Sequence, residues 1–166
     1  MTRTDLARSK RTGDPRGALR AVEGREEFLA FVLGDEQYAL PVQRVREILK
    51  VPAITEVPRA PGDLVGIVSV RGLVLAVRDL RKLLRLPARP PTRRARILVV
   101  EHGGEAIGLL VDEVRAVVRL LPGEIESSPS VVRGLDAEAV AGVARPGDEM
   151  LILLGLDAVL RDPDNS

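Results

Sequence analysis

An internal repeat is the feature of this sequence that most constrains its fold. Positions 28–48 align without a gap with positions 97–117 when each residue is compared with the one 69 places later. The identical pairs include glycine and charged residues as well as common aliphatic ones: Leu29 and Leu98, Gly34 and Gly103, Glu36 and Glu105, Leu40 and Leu109, Val42 and Val111, Val45 and Val114, Arg46 and Arg115. Shared strand composition accounts for matches of Val and Leu but not for those of Gly and Glu. The pattern therefore indicates duplication of one structural unit.

The repeat resumes further along the chain at a larger spacing. At an offset of 76, Gly66 aligns with Gly142, and positions 75–84 align with positions 151–160. The second half must therefore contain extra residues between its two aligned stretches. Residues 121–138 are rich in Ser, Pro and Gly, so they are predicted to form that longer loop.

Each half is expected to consist mainly of short strands. Apolar residues on both sides of Gly34-Asp35 predict a β-hairpin. Residues 51–62 contain three prolines and predict an irregular loop, followed by strands over 64–70 and 73–77. Several short strands joined by turns are typical of a small barrel. Two such barrels must cover each other's apolar faces, so the repeat predicts two barrels that share one core.

Short helices are expected at two points in the first half. Val42, Val45, Ile48 and Leu49 recur at helical spacing before a proline, which predicts a short helix or turn. Asp79 is a suitable N-cap for a second short helix that ends before the next proline.

Candidate catalytic and metal-binding residues are few. The chain has no Cys, and the single histidine, His102, stands beside two glycines at a predicted hairpin tip, where a turn role is expected. Asp112 and Glu113 are adjacent, but neighbours in an extended segment point to opposite faces, so we expect solvated or salt-bridged surface residues. The glycine-rich phosphate motifs and the serine nucleophile elbow do not occur. We therefore expect no enzyme activity, no cofactor and no metal.

Nucleic-acid binding is retained only as a remote alternative. The basic stretches 3–25 and 81–96 could contact phosphates. However, the chain carries a net charge of only +1, and its three aromatic residues, Phe28, Phe31 and Tyr38, fall at strand positions where core packing is expected. A membrane span is not predicted either, because apolar runs such as 151–154 are far shorter than the ~20 residues required.

The Arg71-Gly72 pair is the candidate binding feature. It places a charged residue between two apolar strands, which is common at a solvent-facing hairpin corner. Glycine at this point also lets another backbone approach closely, and the guanidinium offers five donors to carbonyl or carboxylate groups of a partner. The binding role is the preferred interpretation.

Taken in order along the chain, these segments resemble the CheW family, the coupling proteins of bacterial chemotaxis arrays. The resemblance covers residues 26–161 and depends on these segments jointly: Glu27-Phe28-Leu29-Ala30-Phe31, Val45-Arg46-Glu47-Ile48, Pro58-Arg59-Ala60-Pro61 with Gly66, Val70-Arg71-Gly72, Val77-Arg78-Asp79-Leu80-Arg81, Gly108-Leu109-Leu110-Val111-Asp112-Glu113-Val114, and Met150-Leu151-Ile152-Leu153-Leu154. It implies a mainly β fold of two intertwined five-stranded SH3-like β-barrels that share a core, with short helices.

The resemblance also implies a function and partners. A CheW-like adaptor couples the cytoplasmic tips of chemoreceptors to the regulatory domain of the histidine kinase CheA, and further copies can join it in rings. The expected location is cytoplasmic, at membrane-bound receptor arrays that it reaches through its partners. Carried over position by position, the receptor-binding residues of the family correspond to Val45, Glu47, Gly66, Arg71, Val114 and Val117.

Several positions depart from the family pattern. These are Ser69 in place of Asn, Ala76 in place of Pro, Arg78 in place of an aliphatic residue and Gly155 in place of Asp. The alternative function is therefore a specialised paralogue of a non-flagellar or other chemosensory pathway, which binds receptor without standard kinase coupling.

The expected domain organisation follows from the repeat and the resemblance. Residues 1–24 mix Arg, Asp, Gly and Thr without a sustained period and are predicted to be a disordered tail. Residues 25–162 form the CheW-like domain, in which the halves 25–90 and 91–162 exchange late elements. Residues 163–166 are a short C-terminal tail.

Overall fold

The computed structural model describes residues 24–127, 135 and 137–161. The predicted N-terminal tail, apart from Gly24, and the predicted C-terminal tail lie outside these residues. No helix in the part that is described has the length and apolar character needed to cross a membrane.

Strands dominate the described residues. The first half contains β1 (Glu26–Leu33), β2 (Glu36–Pro41), β3 (Val45–Lys50), β4 (Leu64–Val70), β5 (Leu73–Asp79) and the single-turn helix α1 (Leu80–Leu83). The second half contains β6 (Arg96–His102), β7 (Glu105–Val111), β8 (Glu113–Leu120), β9 (Ile125–Glu126), β10 (Val140–Ala144), β11 (Leu151–Leu154) and the single-turn helix α2 (Leu156–Val159). Asp79 caps α1 as predicted, because its side chain accepts a hydrogen bond from the Arg81 N–H at 3.0 Å.

The strands form two sheets, and each sheet combines elements of both halves. One has the order β8-β1-β2-β11-β10-β9 and the other the order β3-β6-β7-β5-β4. The hairpin β1–β2 therefore lies among strands of the second half, and the hairpin β6–β7 lies among strands of the first. The exchange is closed by two parallel pairs, β2 with β11 and β5 with β7. The mainly β, two-sheet fold class is confirmed.

The strand β9 breaks the symmetry between the two sheets. It contains only two residues and pairs with the end of the chain's next strand, β10, through Glu126 opposite Val143. It lies in the longer loop that the changed repeat offset predicts, which is why the sheet containing it has six strands and the other has five.

Of the short helix or turn predicted from Val42, Val45, Ile48 and Leu49, the turn is confirmed and a longer helix is not. Only Val42–Arg44 form a helical turn, of the 3-10 type, and β3 begins at Val45. Burial along β3 alternates residue by residue, as in a strand with one face turned inward. Pairing with β6 satisfies its backbone groups, and this tertiary pairing outweighs the local spacing.

A buried ion pair connects the two halves at the edge of the core. Arg81 is only 4% exposed and is the single charged residue among the buried ones that the structure describes. Its Nε donates to Asp112 Oδ1 at 2.9 Å, its Nη2 contacts the other carboxylate oxygen, and its Nη1 donates to the Pro87 carbonyl at 2.8 Å. The Gly34 N–H also donates to Asp112, at 2.7 Å. Asp112 was predicted to be either solvated or salt-bridged, and it is salt-bridged.

Candidate functional site

An apolar groove lies where β3 approaches β1 and β8. We call it the axial groove, and it has a volume of about 260 Å³ and is lined by Leu29, Val42, Val45, Arg46, Glu47, Ile48 and Val117. Ile48 and Val117 occupy equivalent positions in the two repeats, and they are 43% and 51% exposed. Two equivalent aliphatic residues thus face solvent on one groove. Large exposed aliphatic side chains grouped in this way are typical of a surface that binds another protein.

An exposed ion pair borders the axial groove. Arg71 Nη2 donates to both carboxylate oxygens of Glu47, with a distance of 2.5 Å to Oε2. The hydrogen bond from Arg71 lowers the pKa of the Glu47 carboxyl. The Arg71 side chain remains 69% exposed, so the ion pair contributes little to stability. The same exposure makes the guanidinium accessible to a partner.

The backbone at the β4–β5 turn explains how Arg71 is presented. Arg71 and Gly72 are the two turn residues, with φ of +50° and +81°. Two-residue hairpin turns of the type I′ class require positive φ at both positions. The turn projects the guanidinium outward, and the next two residues, Leu73 and Val74, are 69% and 71% exposed.

Gly66 has a backbone role and does not line the axial groove. It is buried in β4 with φ of +156°, and a Cβ atom there would lie 2.4 Å from the Thr55 carbonyl oxygen. Thr55 and Ile67 exchange two backbone hydrogen bonds beside it, at 2.9 and 2.8 Å. The glycine therefore allows the proline-rich loop to pack against β4.

Replacing Gly66 with alanine is expected to lower the free energy of unfolding by about 1–3 kcal/mol, because the added methyl group must displace backbone rather than a flexible side chain. Urea unfolding measures this change. Gly123→Ala is the matched control, since a Cβ at Gly123 meets nothing within 4 Å. Equal stabilities of the two variants would contradict the packing role.

Val114 lies apart from the axial groove. It pairs with Phe31 and lines a separate depression of about 310 Å³ with Arg93, Arg94, Arg96 and Glu113. Of the six residues expected to bind receptor, the structure brings together Val45, Glu47 and Val117, with Arg71 bonded to Glu47. The groove is also lined by four residues that were not predicted: Leu29, Val42, Arg46 and Ile48. Ile48 had a signal in the sequence, because it is the repeat partner of Val117.

The remaining chemical candidates are structural. His102 ends β6, and its Nδ1 lies 3.2 Å from Asp157 Oδ1, which also accepts from Arg44 at 2.8 Å. Hydrogen bonds from Arg44 and then His102 lower the pKa of Asp157. Within residues 24–127, 135 and 137–161, no three His, Asp or Glu side chains cluster as metal ligands.

The aromatic residues are not available for stacking on nucleic-acid bases. Phe28 is 5% exposed, Phe31 is fully buried, and Tyr38 is 1% exposed. The rings of Phe31 and Tyr38 stack on each other in the core, with centroids 6.2 Å apart.

Comparison with known proteins agrees with this architecture. A family model described as the CheW-like domain matches residues 27–164. The chain is 31% identical to the chemotaxis protein CheW of Rhizobium meliloti over 136 residues, which cover 82% of this chain and 88% of that protein. It is 30% identical to the chemotaxis protein CheW of Bacillus subtilis over 135 residues, with coverages of 81% and 86%.

A solved structure is also similar. The crystal structure of the scaffolding protein TtCheW from Thermoanaerobacter tengcongensis superimposes with a TM-score of 0.77 at 32% identity, covering 84% of this chain and 94% of that one. The predicted SH3-like fold and the resemblance drawn from the sequence are both confirmed. The chain therefore belongs to the CheW family of chemotaxis coupling proteins.

Proposed function

We propose that this protein is a non-enzymatic adaptor that links the cytoplasmic tips of chemoreceptors to the regulatory domain of CheA. It acts in the cytoplasm at membrane-bound receptor arrays, through a CheW-like domain over residues 25–162. The axial groove carries this proposal. Its exposed aliphatic floor and the accessible Arg71–Glu47 pair fit a helical partner that presents both apolar and charged side chains.

Coupling in this proposal requires no chemical step. Each partner stabilises one arrangement of the array, and receptor state changes kinase activity only through a difference in affinity between arrangements. The groove residues Val45, Glu47 and Val117 contact the receptor, and Arg71 reaches it from the rim. Gly66 acts indirectly, because it lets the proline-rich loop pack against β4. Val114 supports receptor binding from its separate depression or through its packing against the core.

Replacing Arg71 with alanine is expected to weaken binding to a receptor cytoplasmic fragment by about 1–3 kcal/mol, because a charged interfacial hydrogen bond is lost. Titration calorimetry with that fragment measures the change. Arg145→Ala is the matched control, since Arg145, just after β10, pairs with Glu126 of β9 at 3.3 Å and lies outside the groove. Unchanged affinity in Arg71→Ala would remove this residue from the site.

The proposed adaptor and a specialised paralogue are separated by a kinase assay. Reconstitution of the protein with receptor fragments and CheA should restore receptor control of autophosphorylation if standard coupling holds. Binding to receptor without that control would identify the paralogue, and failure to bind either partner would reject both. Arg78, one of the departures from the family pattern, already pairs with Asp63 at 2.5 Å, so its charge has a structural partner.

A further inference from the structure

A second and larger cleft lies between the two single-turn helices. It has a volume of about 790 Å³ and shares no described lining residue with the axial groove. We call it the helix cleft and define it by three pairs of equivalent positions at the repeat offset of 76: Lys82 and Ala158, Leu83 and Val159, Arg85 and Arg161. The cleft is therefore the place where the terminal helices of the two repeats face each other.

Positive charge exceeds negative charge around the helix cleft. Arg78 pairs with Asp63, and Arg161 pairs with Glu138, each at 2.5 Å. Lys82 and Arg85 are exposed, and no carboxylate in the described residues pairs with either of them. The two repeats differ here. Glu138 pairs with Arg161 in the second half, but the position equivalent to Glu138 in the first half is Gly62, so Arg85 has no corresponding carboxylate. Two cations on one side of the cleft thus remain available to a ligand.

The backbone at Arg85 is also unusual. Its φ is +61°, in the left-handed region just after α1, where glycine is the common residue. The Arg85 N–H donates to the Lys82 carbonyl at 3.0 Å, and the Leu86 N–H donates to the Arg81 carbonyl at 2.8 Å, which together form a Schellman motif. A residue with a Cβ is strained at this position. This motif holds Arg85 among the residues that line the cleft.

We propose that the helix cleft binds an acidic, aliphatic peptide segment of a partner protein. The interior of the cleft is aliphatic, formed by Leu83, Leu84 and Val159, whereas the cations lie at its rim. Small-molecule sites usually add buried polar groups that fix the orientation of the ligand. The described lining contains no buried polar side chain, so aliphatic side chains with flanking carboxylates match the cleft better than a compact anion does.

Fluorescence anisotropy with a labelled peptide of alternating glutamate and leucine tests the proposal on the full chain. We expect saturable binding that weakens as salt is added, and no binding of the lysine–leucine counterpart. The double variant Lys82→Glu/Arg85→Glu should lose affinity by about tenfold or more, because like charges then face the peptide. Arg93→Glu/Arg94→Glu is the control with the same charge change, since both arginines are exposed and lie outside the cleft.

Three results would overturn the proposal. Equal losses in the two double variants would show general attraction to positive charge. Displacement of the peptide by inorganic phosphate at matched ionic strength would indicate a small-anion site. If the peptide binds only after residues 162–166 are deleted, the cleft belongs to this chain's own acidic segment, which includes Asp162 and Asp164. Receptor binding by Lys82→Glu/Arg85→Glu should stay unchanged, so this result is separate from the test of the axial groove.

Discussion

Replacement of Arg81 with methionine is expected to lower the free energy of unfolding by about 2–4 kcal/mol. Methionine keeps much of the aliphatic length but leaves the Asp112 carboxylate, which is 27% exposed, with the Gly34 N–H and without its hydrogen-bonded cation. Loss of one partner of a buried pair is strongly destabilising because the other charge stays desolvated, and the partial exposure of Asp112 reduces this cost. Urea unfolding at neutral pH measures the change.

The loss of stability should arise because the Arg81–Asp112 pair is buried, and removal of an exposed arginine should not reproduce it. Arg145→Met provides the control, because the Arg145 and Glu126 side chains are 48% and 58% exposed. Exposed pairs of this kind contribute less than about 1 kcal/mol. Similar losses of stability in both variants would contradict the assignment of Arg81–Asp112 as a buried connection between the halves.

The same pair predicts the sensitivity of the fold to acid. Burial alone would raise the pKa of Asp112, but hydrogen bonds from Arg81 and from the Gly34 N–H more than offset this and lower it. A carboxyl group with a lowered pKa stabilises the fold above its unfolded pKa, about 3.9, and loses that contribution as pH falls through the folded value. The stability difference between the wild type and Asp112→Asn should therefore shrink below about pH 4. A difference independent of pH would show that Asp112 does not titrate with folding.

The repeat predicted the fold well because the inference depends on many matched positions at once. Matched hairpins around Gly34 and Gly103 specify two equivalent units, and two equivalent β units can bury their apolar faces only against each other. The structure adds the exchange of hairpins between sheets, which no local pattern contains. The helical spacing of Val42, Val45, Ile48 and Leu49 produced only the turn Val42–Arg44 for the same reason, since the strand that pairs with β3, β6, begins about fifty residues later in the chain.

The site was predicted only in part, and the difference is geometric. A sequence shows that Arg71 and Glu47 carry opposite charges, but it does not show that the β4–β5 turn brings them into contact. The family resemblance also carries Gly66 and Val114 over as binding residues, without showing that Gly66 lets a loop pack against β4 and that Val114 lies in a separate depression. The sequence places Arg81 only in a basic stretch that could contact phosphates, because its carboxylate partner is 31 residues away.

Replacement of Val117 with aspartate is expected to weaken receptor binding by about 2 kcal/mol or more, which corresponds to roughly thirtyfold. A receptor helix that covers the axial groove would remove water from the new carboxylate without offering it a partner, and the neighbouring Glu47 would repel it. The fold should tolerate the change, because Val117 is already 51% exposed. Calorimetric titration with the receptor fragment, together with urea unfolding, separates affinity from stability.

Val74→Asp is the control that locates the contact. Val74 is 71% exposed and belongs to the hairpin that carries Arg71, but it does not line the groove. Both substitutions add one carboxylate to an exposed valine on a strand, so general changes in charge or solubility affect them equally. If the groove is the contact, Val117→Asp loses receptor affinity and Val74→Asp retains it. Equal losses would show only a general effect of the added charge and would contradict the groove as the contact. A loss confined to Val74→Asp would move the contact to the hairpin and reject the groove, because the aliphatic pair Ile48 and Val117 would then face no receptor.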